Sequence, residues 1–162
     1  MASHLHETLP FLVHRISAAI SDGANSEFQH LGLNVYAARV LILLYLDDAH
    51  TVGELAETAS LDQSTLSHIL RRLVTQGLLV KERQEHDNRS VLVSLTKEGT
   101  DIAAKCWRAA QKHDALLSKG LSAASLATLK KLLTELYENA PAFRDSEAAD
   151  TKPRKAPVKR KV

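Results

Sequence analysis

Ser64, Ser67, His68, Arg71 and Thr75 fall on one side of an expected helix over residues 62–76, with Arg72 at the edge of that side. Leu66, Ile69, Leu70 and Leu73 fall on the other when each residue advances by about 100°. Short hydroxyl side chains let a helix approach the floor of a DNA major groove. Arginines further along can pair with guanine edges or grip phosphate. A solvated helix face usually carries a ladder of Glu and Lys, but here no acid lies between Asp62 and Gln76. Taken alone, the helix is also compatible with an ordinary solvated face.

The segment "VKERQEHDNRSVLVSLT" follows almost at once, at residues 80–96. It reads as two strands around six polar residues, Glu85 to Ser90, with no Gly at the tip. A minimal hairpin needs about two turn residues, so a longer tip is expected to project. The DNA minor groove is about 6 Å wide and its negative potential favours an inserted guanidinium. Arg89 is the candidate, and Asp87 is expected to fix the tip by pairing with an arginine or with the loop backbone. A solvated charged loop is the other reading of this stretch.

The flanking sequence supplies the elements that would position these residues. Thr8 and Pro10 mark the start of a first helix, with Leu9, Leu12, Val13, Ile16 and Ile20 at helical spacing. Asn34 is placed to cap "VYAARVLILLYLDD", which is apolar almost all round and should be buried centrally. Residues 53–59 form a short helix with Leu55, Ala56 and Ala59 inward, "SLD" makes a turn, and Asp62 caps the polar-faced helix. Two helices joined by a three-residue turn have helix-turn-helix geometry. Gly77 ends the pair, Thr96 caps a long helix to about Lys119, and Ser122 caps a last one. Leu126, Leu129, Leu132, Leu133 and Leu136 form the stripe of that last helix.

Composition agrees with a mainly α protein: 44% hydrophobic residues, 4% aromatic, six Gly and four Pro in 162 residues. One cysteine, Cys106, excludes an internal disulfide framework. No apolar run approaches the roughly 18 residues of a membrane span, and "MASHLHETLP" lacks the features of a signal peptide. A soluble, cytoplasmic protein with no membrane partner is expected. The net charge of +2 conceals an uneven distribution. Residues 1–60 hold 2 basic and 7 acidic side chains, 61–99 hold 6 and 5, 100–151 hold 7 and 7, and 152–162 hold 6 and 0. Bulk charge therefore gives no argument for nucleic-acid binding by the folded part; placement must carry it. The last stretch, "DTKPRKAPVKRKV", reads as a disordered basic tail that either adds phosphate contacts or does nothing.

The order of these parts resembles the MarR family of winged-helix transcriptional regulators, from about Leu9 to Tyr137. The most specific portion is "LAETASLDQSTLSHILRRLVTQGLLVKERQEHDNRSVLVSLTKEG", with its Leu-rich helix, "GLL" exit, Asp-x-Arg-Ser tip and "SLTKEG" lead into the next helix. The resemblance implies a winged helix-turn-helix lobe at 34–99, between an N-terminal arm and dimerisation helix at 1–33 and C-terminal dimerisation helices at 100–139. A disordered tail at 140–162 would follow. It implies a homodimer on a pseudo-palindromic operator in double-stranded DNA, acting as a repressor and not an enzyme. The major-groove role falls on Gln63, Ser64, Ser67, His68, Arg71 and Arg72, and the wing role on Asp87, Asn88 and Arg89. Many family members have a second Arg where Asn88 stands, so this wing carries one charge fewer.

Family members often release DNA when a small aromatic carboxylate, phenolic compound or related anion binds between the dimer helices and the DNA lobe; an acyl thioester is a further candidate effector. Phe11, His14, Arg15, Tyr36, Arg39 and Trp107 are the aromatic or cationic candidates for such a site. Three alternatives stand beside ligand sensing. Cys106 could serve a redox sensor, although it lies in the long later helix. A metalloregulator would need paired ligands, and the eight histidines, including His4 and His6, are scattered. A winged helix used only to bind protein would leave DNA affinity unchanged in Arg89→Ala. No phosphate loop, nucleophile elbow or HExxH motif supports an enzyme, and no cofactor or bound metal is expected.

Overall fold

The computed structural model describes residues 4–84 and 87–150, and at Ala49, 83–84, 87–90 and 141–150 it describes the backbone alone. The chain divides into two compact units, Met1–Leu117 and Ser118–Val162.

Helix α1 spans Leu9–Gln29, with Thr8 as its N-cap and Pro10 in its first turn. The Thr8 hydroxyl donates back to the Leu5 carbonyl (2.9 Å) and leaves the first-turn amides without a side-chain cap. Gly23 does not interrupt the helix, and Ala24 and Phe28 bury its C-terminal half. Asn34 caps α2 (Val35–Leu46): its Oδ1 accepts from the Ala37 amide at 2.8 Å. Asn25 of α1 accepts from the Val35 amide at 3.0 Å, so a second first-turn donor of α2 is also satisfied. Ala37, Ala38, Val40, Leu41 and Leu44 are buried, and α2 packs against α5 (Lys97–Leu117) in the centre of the first unit. The all-round apolar sequence of this helix foretold that position.

Strand β1 (Ala49–Thr51) leads into α3 (Val52–Thr58), which opens on a capping box formed by Thr51 and Glu54. The turn at Ser60 and Leu61 connects α3 to α4 (Gln63–Thr75). The hairpin of β2 (Leu79–Gln84) and β3 (Asp87–Leu95) follows, and β1 adds to it antiparallel, giving the order β1-β3-β2. The strand β1 was not expected from sequence, because "AHT" has neither the length nor the alternation that marks a strand. The expected six-residue tip is also narrower. Gln84 pairs with Asp87 past an irregularity at Arg83/Gln84, so 87–90 has strand backbone. Backbone pairing, which does not require apolar side chains, carries the ladder into the polar stretch. Glu85 and His86 lie outside the described residues.

The junction between α4 and α5 is tightly stitched. The Thr96 hydroxyl donates to the Gly77 carbonyl (2.7 Å) and accepts from the Gly99 amide (2.9 Å), while the Thr96 amide donates to the Leu78 carbonyl (3.1 Å). Gly99 lies so close to Leu78 that a Cβ there would overlap the Leu78 carbonyl oxygen.

In the second unit, α6 spans Ala123–Asp150, and the Ser122 hydroxyl accepts from the Ser125 amide (3.1 Å). Helical backbone thus continues ten residues past Ala140, where the sequence pattern stops and a tail was expected to begin. Good helix formers, Ala142, Arg144, Glu147, Ala148 and Ala149, occupy that extension and offset the donor missing at Pro141. The basic residues 151–162 lie outside the described residues.

Candidate nucleic-acid interface

The polar-faced helix owes its placement to both ends and to its back. At its start Asp62 accepts from the Thr65 amide (2.8 Å) and the Thr65 hydroxyl (2.7 Å). These hydrogen bonds, the hydroxyl first, hold the Asp62 carboxyl below its usual range. At its end Gly77 takes a positive φ of 72°, and the Leu78 amide closes on the Leu73 carbonyl (3.0 Å). Leu66, Ile69, Leu70 and Leu73 are buried behind it, each contributing roughly 1.5–3 kcal/mol relative to exposure.

The opposite face is free to meet a ligand. Gln63, Ser64, Ser67, His68, Arg71, Arg72 and Thr75 are all exposed, as the 100° arithmetic required. Thr75 turns its hydroxyl back onto the Arg71 carbonyl (3.0 Å), and no first-turn acid is present to repel phosphate. Arg72 differs from its neighbours, because its Nη2 donates to the Gly32 carbonyl at 2.8 Å. That contact ties α4 to the turn between α1 and α2, so a positioning role accompanies any phosphate contact. The backbone of Asp87, Asn88 and Arg89 continues β3. Their side chains, which carry the expected wing role, lie outside what the structure describes.

The first unit also contains a cleft of about 330 Å³ between α1, α2 and α5. Its walls are largely apolar, from Ile20, Phe28, Ile42, Leu43 and Leu117, with Arg39, His113 and Asp114 as the polar members. Of the six residues expected at a ligand site, Arg39 alone lines it. Tyr36 lies beside that cleft residue, its ring centroid 5.9 Å from the Arg39 guanidinium carbon. Phe11 and Arg15 form a separate group near the start of α1, with Arg15 over the Phe11 ring and His6 edge-on to it. His14 is exposed on the same helix and Trp107 is half-buried on α5. Their spread has a simple cause: aromatic and cationic residue types do not fix direction around a helix axis.

Sequence reasoning missed a polar bridge beside the cleft. His113 Nε2 lies 2.6 Å from Glu27 Oε2, and Lys112 Nζ lies 3.7 Å from Glu27 Oε1. A separation of 86 residues leaves no periodic signal for such a pair. Cys106 is fully buried, and burial pushes its thiol up to about 11. Among the described residues, no three His, Cys, Asp or Glu side chains gather as a metal-ligand set, and no helix is long and apolar enough to cross a membrane.

A helix-turn-helix backed by a buried core and followed by an antiparallel hairpin defines a winged-helix DNA-binding regulator. Comparison with known proteins agrees. A family model described as transcriptional regulator SarA/Rot matches residues 26–106. The organic hydroperoxide resistance transcriptional regulator of Bacillus subtilis is 33% identical over 133 residues, covering 82% of this chain and 87% of the relative. The multiple antibiotic resistance protein MarR of Salmonella typhimurium is 31% identical over 113 residues, or 69% of this chain and 78% of the relative. A mutant MarR from Escherichia coli, solved in complex with operator DNA, superposes with a TM-score of 0.72 at 28% identity, covering 83% of this chain and 99% of that one. The chain belongs to the MarR family of DNA-binding transcriptional regulators. Its family and fold are those of regulators and not of enzymes.

Proposed function

We propose that the protein is a homodimeric, effector-responsive repressor acting in the cytoplasm. Each protomer places α4 in a major groove of a pseudo-palindromic operator and the β2–β3 hairpin, with Asp87, Asn88 and Arg89, against the neighbouring minor groove. The observation that carries this reading is the division of α4 into four buried apolar residues and an exposed face of Gln63, Ser64, Ser67, His68 and Arg71. Half-sites then lie about one helical turn apart, roughly 34 Å. Leu9, Leu12, Val13 and Ile16 of α1 and Leu129, Leu132, Leu133 and Leu136 of α6 are exposed by 38–57%. Exposed apolar stripes of this kind on α1 and on α6 each support assembly with a second chain.

Release follows from a small apolar anion in the cleft between α1, α2 and α5, where Arg39 is the single Lys or Arg side chain of the lining. An aromatic carboxylate suits such a lining; phenolic compounds and acyl thioesters are the other effector classes to test. A redox reading through Cys106 is opposed by its chemistry, since a buried thiol that titrates near 11 holds almost no thiolate at neutral pH.

A footprint on DNA upstream of the protein's own gene, repeated with aromatic acids and thioesters, tests the proposal. Two protected half-sites one turn apart, lost on addition of one compound class, are expected. Protection that no compound alters would remove the effector, and a footprint without two-fold symmetry would remove the dimer.

A further inference from the structure

Three helices of the first unit end in the same way, and one of them is different in composition. After α1 and after α4 the residue at positive φ is glycine, Gly32 at 69° and Gly77 at 72°. After α3, inside the helix-turn-helix, the equivalent residue is Ser60 at 53°. A side chain in that region strains the backbone in a way that glycine avoids. The α3 end is otherwise closed normally: the Ser60 amide donates to the Glu57 carbonyl (3.0 Å) and the Leu61 amide to the Ala56 carbonyl (2.9 Å). Those bonds do not serve the Ala59 carbonyl, the last before the strained residue. Arg39 does, with Nη1 at 3.3 Å across a separation of 20 residues.

The same residue, Arg39, lines the cleft. It carries five N–H donors in a rigid fork, so one side chain faces both the cleft and the turn that aims α4. We propose that Arg39 is the relay between them: an apolar monoanion in the cleft engages the guanidinium that otherwise holds the Ala59 carbonyl, and the α3–α4 turn loosens. This inference rests on the effector reading above and gives it a route. The ligand's preference for the guanidinium over the carbonyl is the differential interaction that any such switch requires. The carboxylate of Asp114 on the same wall favours a monoanion over a dianion by charge repulsion.

The relay makes a non-additive prediction for the full-length protein with benzoate as the anion and benzamide as its uncharged control. In wild type, benzoate weakens operator binding by roughly 5–150-fold and speeds amide exchange across residues 59–65, while benzamide does neither. Arg39→Ala binds the operator more weakly by a similar factor, shows the faster exchange without benzoate, and does not respond further when benzoate is added. Arg39→Lys restores part of the affinity. If Arg39→Ala loses its fold by thermal melting, Arg39→Lys carries the comparison through a smaller benzoate response than wild type. A benzoate response in the variants equal to wild type, or turn amides that benzoate does not move, would overturn the relay and leave the effector site standing. A wild-type protein blind to benzoate in both assays would instead remove the aromatic-carboxylate effector, and the relay with it.

Discussion

Helices α4 and α6 are both striped, and the chain treats their apolar sides in opposite ways. The four inward residues of α4 are at most 9% exposed, whereas Leu129, Leu132, Leu133 and Leu136 of α6 are 38–50% exposed. The first stripe is completed by the chain's own core, which fixes the helix and leaves a face that is polar except for Val74 for outside contact. The second stripe is still available as a contact surface. The difference teaches that polarity of the exposed face, and not amphipathicity as such, separates a surface suited to nucleic acid from one suited to another protein.

The largest effect is expected from attacking the open stripe. Leu132→Asp with Leu133→Asp should produce monomers by sedimentation and weaken operator binding by at least about 100-fold, since the two lobes no longer act together. Unchanged mass would show that α6 does not hold the dimer. Attacking the closed stripe should act on folding: Leu70→Ala is expected to cost about 2–5 kcal/mol in denaturant unfolding.

The exposed face of α4 comes next. Arg71→Ala and Arg89→Ala should each weaken operator binding by roughly 1–3 kcal/mol with little change in melting temperature. A panel of altered operators distinguishes their roles: Arg71→Ala relaxes preference if Arg71 reads a base, while a uniform loss assigns it to phosphate. Arg72→Ala should cost about 1 kcal/mol of stability through its tether to the Gly32 carbonyl, and a change in operator binding alone would refute the tether.

The smallest effect lies in the caps that begin α3 and α4. Glu54 is held below its ordinary value of 4.5, first by the Thr51 amide and then by the Thr51 hydroxyl, and Asp62 below 3.8 by Thr65. Lowered folded values mean that the unfolded chain takes up protons more readily. Their stabilisation is therefore complete above the ordinary values and fades as pH falls through the lower, folded ones. The acid limb of the melting profile should flatten in Glu54→Gln with Asp62→Asn.

Helix boundaries and faces were legible because each rests on local chemistry. Asn34, Asp62, Thr96 and Ser122 were recognisable caps, Gly77 and Gly120 recognisable exits, and the inward residues of α4 followed from periodicity. What sequence did not reveal depends on distance. Arg72 to Gly32, Arg39 to Ala59 and His113 to Glu27 span 40, 20 and 86 residues, and nothing local marks them. Strand β1 was hidden for the same reason, since three residues become a strand only when β3 is beside them. The ligand candidates were chosen by residue type without direction, and so five of the six do not line the cleft.

The joint at Thr96 and Gly99 has a mechanical meaning. With no room for even a methyl group between the start of α5 and Leu78, the exit of α4 and the start of the hairpin bear directly on the long helix. At 21 residues, α5 is an arm of roughly 30 Å. A tilt of about ten degrees would sweep its far end through about 5 Å, on the order of one and a half base-pair steps. With α4 against a duplex as proposed, small adjustments at the distant end of that arm would change the pitch of the helix there.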